Sequence, residues 1–279
     1  MNFSEYSNLS AVNWSTLKSM AKSPLHYKHA IENPSEDTTG RLKGRGTHTA
    51  VLEIERFMLD YACYKGEPGK KVIRRGKHWE KFKELHEDDS ILKVDEYEHC
   101  IRAAKAVRSH PVAAAALAKS QKEVTVTWTD EDTGIECKAR LDVLDDGGIY
   151  DLKGVRSAEL PALAQEVAKQ RYHCQLAFYQ EGVKRALGKT LPVHIIGVEN
   201  APPHDVVVAE IPEDDLYAGW ETVRGLLDQV AICRKSGIWP GRYAEKQALH
   251  LPQWIWSDDD DLSADDDIVF SDAEKTQSA

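Results

Sequence analysis

"RLDVLDDGGIYDLKG", residues 140–154, sets Asp142, Asp151 and Lys153 in two short apolar runs joined by Asp-Asp-Gly-Gly. Asp146-Gly147 is a favoured pair for a tight hairpin turn. With that pair at the turn centre, Asp145 faces Gly148 and, counting outward, Asp142 lies opposite Asp151. Alternation then puts Asp151 and Lys153 on one face, with Arg140 across from Lys153, while Tyr150 and Leu152 point to the other. Opposed carboxylates repel, and burial makes ionising both costlier still. A divalent cation offsets such a pair better than Lys153 alone, because Mg²⁺ or Mn²⁺ takes carboxylate, water and phosphate oxygens. The same spacing also fits a surface hairpin whose charges face solvent, so the acid pair by itself leaves both readings open.

Working outward, the hydrophobic period is two from Glu123 onward. EVTVTW, the turn DEDTG and ECKARLDVL precede the hairpin's second arm, which predicts three antiparallel strands. Upstream, LSAVNWSTLKSMAKSPLHYKH reads as a helix with Ser15 as its N-cap and a second short helix at Ser23-Pro24. GRLKGRGTHTAVLE predicts a helix beginning near Thr47, with His48 in its first turn. Residues 61–90 read as loop with some helix, and their basic residues Lys70, Lys71, Arg74, Arg75 and Lys77 form either a solvated face or a phosphate contact. Residues 94–118 predict a helix broken near His110-Pro111.

Downstream, a long helix is expected from about Leu160 to Ala186, then strands PVHIIGVE and VVVAEI around Asn-Ala-Pro-Pro, then a helix from Pro212 to about Lys235. Gln175 and Tyr179 stand four apart in the long helix, with Tyr172 three before Gln175, so the three share a face. Such a stripe is either an amphipathic boundary or a contact for a phosphodiester. This order of elements predicts an α/β fold, a central mixed β-sheet flanked by helices, with a helical N-terminal segment.

Composition sets the outer bounds. The 279 residues are 42% hydrophobic, ordinary for a chain that folds around its own core. No apolar run approaches the roughly 18 residues that a membrane span needs, and MNFSEYSNLS lacks the layout of a secretory signal, so a cytoplasmic chain without membrane contact is expected. The five cysteines are scattered with no CxxC, which speaks against zinc knuckles, disulfide frameworks and iron–sulfur clusters. The net charge is −10, but residues 257–279 carry eight Asp and one Glu against one Lys and account for −8 of it. The remaining −2 is compatible with a local basic groove, while DDDDLSADDD repels itself and is expected to be a disordered acidic tail.

In combination the motifs become specific. Gly44 to His48 (GRGTH), Asp142, Asp151-Leu152-Lys153 and Gln175 to Tyr179, in this order, resemble the RecB-like branch of the PD-(D/E)xK nucleases. LKSMAKSPLHYK, RYHCQLAFYQEGV, VENAPPHDVVVAEI and GIWPGRY…LPQWIW resemble RecE-type exonucleases (exodeoxyribonuclease VIII-like), which phages often carry. The likeness runs from about Leu9 to Trp256. It implies one PD-(D/E)xK exonuclease domain over residues 1–256, helical to about 120 and catalytic from about 121, followed by the tail at 257–279.

The resemblance also implies an activity: metal-dependent hydrolysis of one strand of duplex DNA from its ends, 5′-to-3′, leaving a 3′ single strand for an annealing recombinase in DNA recombination. Related enzymes form rings, which makes a ring-forming homo-oligomer an expectation. Carried over residue by residue, His48, Asp142, Asp151 and the backbone carbonyl of Leu152 would surround Mg²⁺ or Mn²⁺. Lys153 would orient or deprotonate water, Gln175 and Tyr179 would support the site and the DNA, and Glu123 would match a further acidic position. Leu141 stands where the family often has proline. Two other readings stay open: a nuclease of the same branch in DNA-end processing or CRISPR adaptation, and a non-catalytic DNA-end-binding or recombinase-loading subunit.

Overall fold

The structure, a computed structural model, describes residues 3–33, 39–87, 90–252 and 255. Asp146 and Gly147 form the turn expected of them. Asp145 pairs with Gly148, and its Oδ1 accepts the Gly147 and Gly148 N–H groups at 2.7 and 2.9 Å. The turn joins β4 (Glu136–Asp145) to β5 (Gly148–Val155), and β3 (Gln121–Thr129) lies on the other side of β4. With β6 (Val193–Glu199) and β7 (Val206–Glu210) they make a five-stranded sheet in the order β3-β4-β5-β6-β7. Only β5 and β6 run parallel; the other pairs are antiparallel. A parallel neighbour needs a crossover, supplied by α9 (Leu160–Gln170) and α10 (Tyr172–Leu187).

Helices cover both faces. On one, α10 and α11 (Glu213–Ser236) bury Leu176, Phe178, Val223 and Leu227 against Leu141, Ile149 and Ile195 of the sheet. On the other, α4 (Thr39–Leu52), α7 (Val94–Ser109) and α8 (Pro111–Lys119) bury Val51, Cys100, Val107 and Leu117 against Val143, Leu152, Ile196 and Val198. Each such large side chain contributes about 2 kcal/mol when removed from water. Short elements α1 (Phe3–Asn8), α2 (Trp14–Leu17), α3 (Pro24–Glu32) and α5 (Ile54–Asp60), a small parallel pair β1 (Ala62–Tyr64) and β2 (Ile91–Lys93), and α6 (Lys77–Lys83) complete the α/β fold around a mixed sheet.

The hairpin opens as it leaves its turn. Its ladder runs from Asp145↔Gly148 to Val143↔Tyr150 and stops there. Leu141 belongs to one core and Val143 to the other, so the in-and-out alternation slips at Asp142. The N-terminal segment takes up the edge of β4 that β5 leaves: Val12 N–H donates to Glu136 O and Val12 O accepts from Lys138 N–H, both at 2.8 Å. Lys138, buried in the sheet, fastens the same segment by donating to the carbonyls of Tyr6, Ser7 and Leu9 at 2.8, 3.2 and 2.8 Å.

Several sequence expectations need correction. The helix carrying His48 runs over Thr39–Leu52, rather than beginning near Thr47. Gly46, inside this helix, is where α4 meets α7: a Cβ there would lie 3.0 Å from Leu92 Cδ1 and 3.2 Å from Cys100 Sγ. The long helix is two helices, broken at Arg171, which adopts a left-handed conformation (φ 58°) that its type does not announce. Asn13, not Ser15, caps α2, accepting the Thr16 N–H at 3.0 Å. Arg74, one of the basic residues considered for phosphate contact, is committed to Glu96. All five thiols are free.

The chain divides into two units, Met1–Arg242 and Tyr243–Ala279. The first holds every element named above. In the second, the described residues 243–252 and 255 are exposed and include no α-helix or strand, and the acidic tail expected at 257–279 lies outside the described residues. Among the described residues, no helix is long and apolar enough to cross a membrane.

Candidate functional site

The site forms where the hairpin parts. Backbone pairing across β4 and β5 has ended at Val143↔Tyr150, and the Asp142 carboxylate takes its place: Oδ2 accepts the Leu152 N–H at 2.7 Å. On the other side, the β3–β4 register sets Glu123 between the pairs Lys122↔Val143 and Val124↔Leu141, and so opposite Asp142. Glu123 interrupts its strand with a positive φ of 54°, a conformation costing roughly 1 kcal/mol or more that tends to persist at functional positions. Three adjacent strands thus bring Glu123, Asp142 and Asp151 to neighbouring places.

His48 approaches from α4, its Nδ1 3.5 Å from Asp142 Oδ2. One ligand atom each from His48, Glu123 and Asp142 lie within 4.8 Å of one another. Asp151 is not in this tight set; it lies beside it, buried and ion-paired to Lys153. The Asp151 Oδ2 atom meets the Lys153 ammonium directly, so the buried pair compensates its own charge. Arg140, expected across from Lys153, binds Glu123 across β3 and β4 instead.

Burial and charge compete at each group. Burial favours neutral Asp142, but His48, then Lys153 and the Leu152 N–H, outweigh it and hold its carboxyl below the usual range. At Asp151 burial prevails over the Lys153 charge, helped by repulsion from Asp142, and the carboxyl is pushed up. His48 and Lys153 are both disfavoured as cations by burial, yet the acids around them raise both, His48 chiefly through Asp142 and Lys153 chiefly through Asp151. The two acids are therefore unequal, and Lys153 keeps its proton.

α10 lies over this centre. Gln175 Nε2 donates to Tyr179 OH at 2.8 Å, and the Lys153 ammonium sits 4.8 Å from the centroid of the Tyr172 ring. Together with Tyr6, Trp14 and Lys18 of the N-terminal segment, they line a cleft of about 280 Å³. Burial, then repulsion from Lys153, Arg41 and Lys22, lowers the Lys18 pKa, so the cleft mouth carries excess positive charge. Every residue singled out in the sequence for this site is gathered at or beside it. Tyr6, Trp14 and Lys18 were not singled out, because only the docking of the N-terminal segment on β4 brings them there.

The donor set suits a divalent cation: two carboxylates and an imidazole from three separate elements, with side-chain exposures of 33% at His48 and 14% at Asp142 that leave the cluster open to solvent. A mixed sheet opened at its central hairpin and carrying this cluster defines a PDDEXK-like domain. The chain belongs to the family described as PDDEXK-like domain of unknown function (DUF3799), which matches residues 13–250. Its fold is similar to that of a "putative exonuclease" from Eubacterium rectale, solved at 2.19 Å, with a TM-score of 0.63 and 16% identity over 92% of this chain and 96% of that one. No curated protein matches the chain.

Proposed function

We propose that this protein is a metal-dependent exodeoxyribonuclease of the RecE type, hydrolysing one strand of duplex DNA from its ends. The observation that carries this is the convergence of His48, Glu123 and Asp142 within 4.8 Å, beside the Asp151–Lys153 ion pair. His48, Glu123 and Asp142 would hold Mg²⁺ or Mn²⁺, with Asp151 and the Leu152 carbonyl as further oxygen donors. Once bound, the ion would supply a water of lowered pKa and offset phosphate charge.

The remaining chemistry belongs to the chain. Lys153, charged and fixed by Asp151, stabilises the negative charge that builds on the phosphate, rather than serving as a base. Tyr179 receives the Gln175 amide and, with it, forms the ceiling against which the strand rests. Tyr6 and Tyr172 offer apolar faces to bases and Lys18 a charge to the backbone.

Attack at an end, 5′-to-3′ polarity, a single-strand annealing partner and a ring-forming assembly follow the RecE-type likeness; the Eubacterium rectale relative's description as a "putative exonuclease" supports the first. The test uses linear duplex labelled at either the 5′ or the 3′ end. With Mg²⁺, the 5′ label should leave first as mononucleotide. No release with either Mg²⁺ or Mn²⁺ would replace this reading with that of a DNA-end-binding subunit.

A further inference from the structure

A second pocket, of about 450 Å³, lies on the opposite helical layer, lined by α4, α7 and the β6–β7 loop. Lys43 comes from α4, His99 and Arg102 from α7, and His204 from the loop. His204 is only 4% exposed; its Nδ1 meets Glu199 O at 2.9 Å, while its buried Nε2 has no partner among the described residues. A neutral ring in that tautomer donates from Nδ1 and presents a bare lone pair at Nε2. His99, 8% exposed, packs against it with ring centroids 5.0 Å apart. Gly40, in the first turn of the 14-residue α4, adds the positive end of a helix to the same wall.

The pocket's two carboxylates are engaged by cations outside it, and Arg102 at its rim shares its charge with exposed Glu98, to which Nη1 donates at 3.1 Å. Glu96 is engaged by Arg74 at 2.9 Å and by the Lys93 N–H at 2.9 Å, and Asp95, on the solvent side, lies 3.4 Å from Lys93 Nζ. We propose that this pocket is a phosphate subsite, in which Lys43 and Arg102 supply charge and the buried, edge-to-face His99–His204 pair supplies ring N–H donors. Burial first, and then the nearby Lys43 and Arg102 charges, hold His99 neutral with its pKa down at about 4, the state that an entering dianion reverses.

His204 rests on the carbonyl of Glu199, which pairs with Val155, two residues beyond Lys153 on β5, so the pocket is anchored to the strand that carries the Asp151–Lys153 pair. The phosphate could belong to DNA or be free phosphate or a released nucleotide; only the DNA source rests on the nuclease reading.

Histidine ring signals of the full chain, recorded by NMR in EDTA, separate these cases. Inorganic phosphate should shift His99 and raise its titration midpoint from about 4, with His48 as an internal comparison. Lys43→Ala and Arg102→Ala should each weaken that response, on the order of fivefold. If a twelve-residue oligothymidylate shifts His99 and each variant lowers the salt slope of its binding by about 1, the phosphate is that of DNA. A response to inorganic phosphate without one to the oligonucleotide assigns the subsite to free phosphate or nucleotide. No shift of His99 with either probe, or variants that bind both as wild type does, overturns the subsite. Phosphate binding here by a protein that releases no nucleotides would overturn the proposed activity and leave the subsite standing.

Discussion

The Leu152 N–H donates to Asp142 Oδ2 at 2.7 Å. A side chain of one hairpin arm thus occupies a backbone acceptor's place against the other arm. The carboxylate is fixed by the same opening that exposes it, with His48 Nδ1 3.5 Å from the oxygen that Leu152 holds and Glu123 within the same cluster. Asp142→Asn keeps an oxygen that can accept from Leu152 but removes the charge. Cleavage of linear duplex, followed as acid-soluble nucleotide, should fall at least about 100-fold with an unchanged circular dichroism spectrum. Wild-type rates in that variant would remove Asp142 from the site.

Glu123→Gln separates metal affinity from turnover. Its carboxylate completes the three-donor cluster, so the Mg²⁺ concentration for half-maximal activity should rise about 10-fold or more, with much of the rate restored at high Mg²⁺. A rate loss that no metal concentration repairs would mean that Glu123 serves only Arg140.

Gly219 holds α11 against the start of α10. A Cβ there would stand 2.7 Å from the His173 carbonyl oxygen, and backbone cannot swing aside as a side-chain tip can. Gly219→Ala should cost about 1–3 kcal/mol, read as a lower melting temperature, and should reduce activity because Gln175 and Tyr179 follow on the displaced helix. An unchanged melting temperature would show that the helices part freely.

Asp130 and Arg224 form a two-bond ion pair, at 2.5 and 2.9 Å, between the β3–β4 turn and α11. Burial alone would raise the Asp130 pKa, but hydrogen bonds from Arg224 and Thr133 bring it below its ordinary value. A carboxyl depressed in the folded state stabilises above its unfolded pKa of about 3.9, and that contribution disappears as pH falls through the lower folded value. Asp130→Asn should therefore flatten the acid limb of the stability curve below about pH 4. Arg224→Met, which strands a buried carboxylate, should cost about 3 kcal/mol near neutrality. Parallel acid limbs in wild type and Asp130→Asn would contradict this account.

What could be read from the residues was what local chemistry dictates. Asp146-Gly147 sets the turn, the turn sets the register, and the register puts Asp142 beside Asp151's strand. The misreadings had non-local causes. The helix carrying His48 begins ahead of Thr47 because what holds its first turns is packing: Gly46 lacks the Cβ that would crowd Leu92 and Cys100. Glu123 enters the cluster through a positive φ that strand alternation does not foresee. Arg171 breaks a helix with neither glycine nor proline at the break. Lys18 and Tyr6 reach the cleft because a lysine in β4, more than a hundred residues later, captures the carbonyls after Tyr6.

That capture has a consequence for biosynthesis. A ribosome delivers Tyr6, Trp14 and Lys18 long before Lys138, so the aromatic wall emerges with nothing to dock on. The earliest residues made must wait for more than a hundred others before the strand that holds them exists, and a chain stopped short of β4 would carry one wall of the cleft with nothing to hold it.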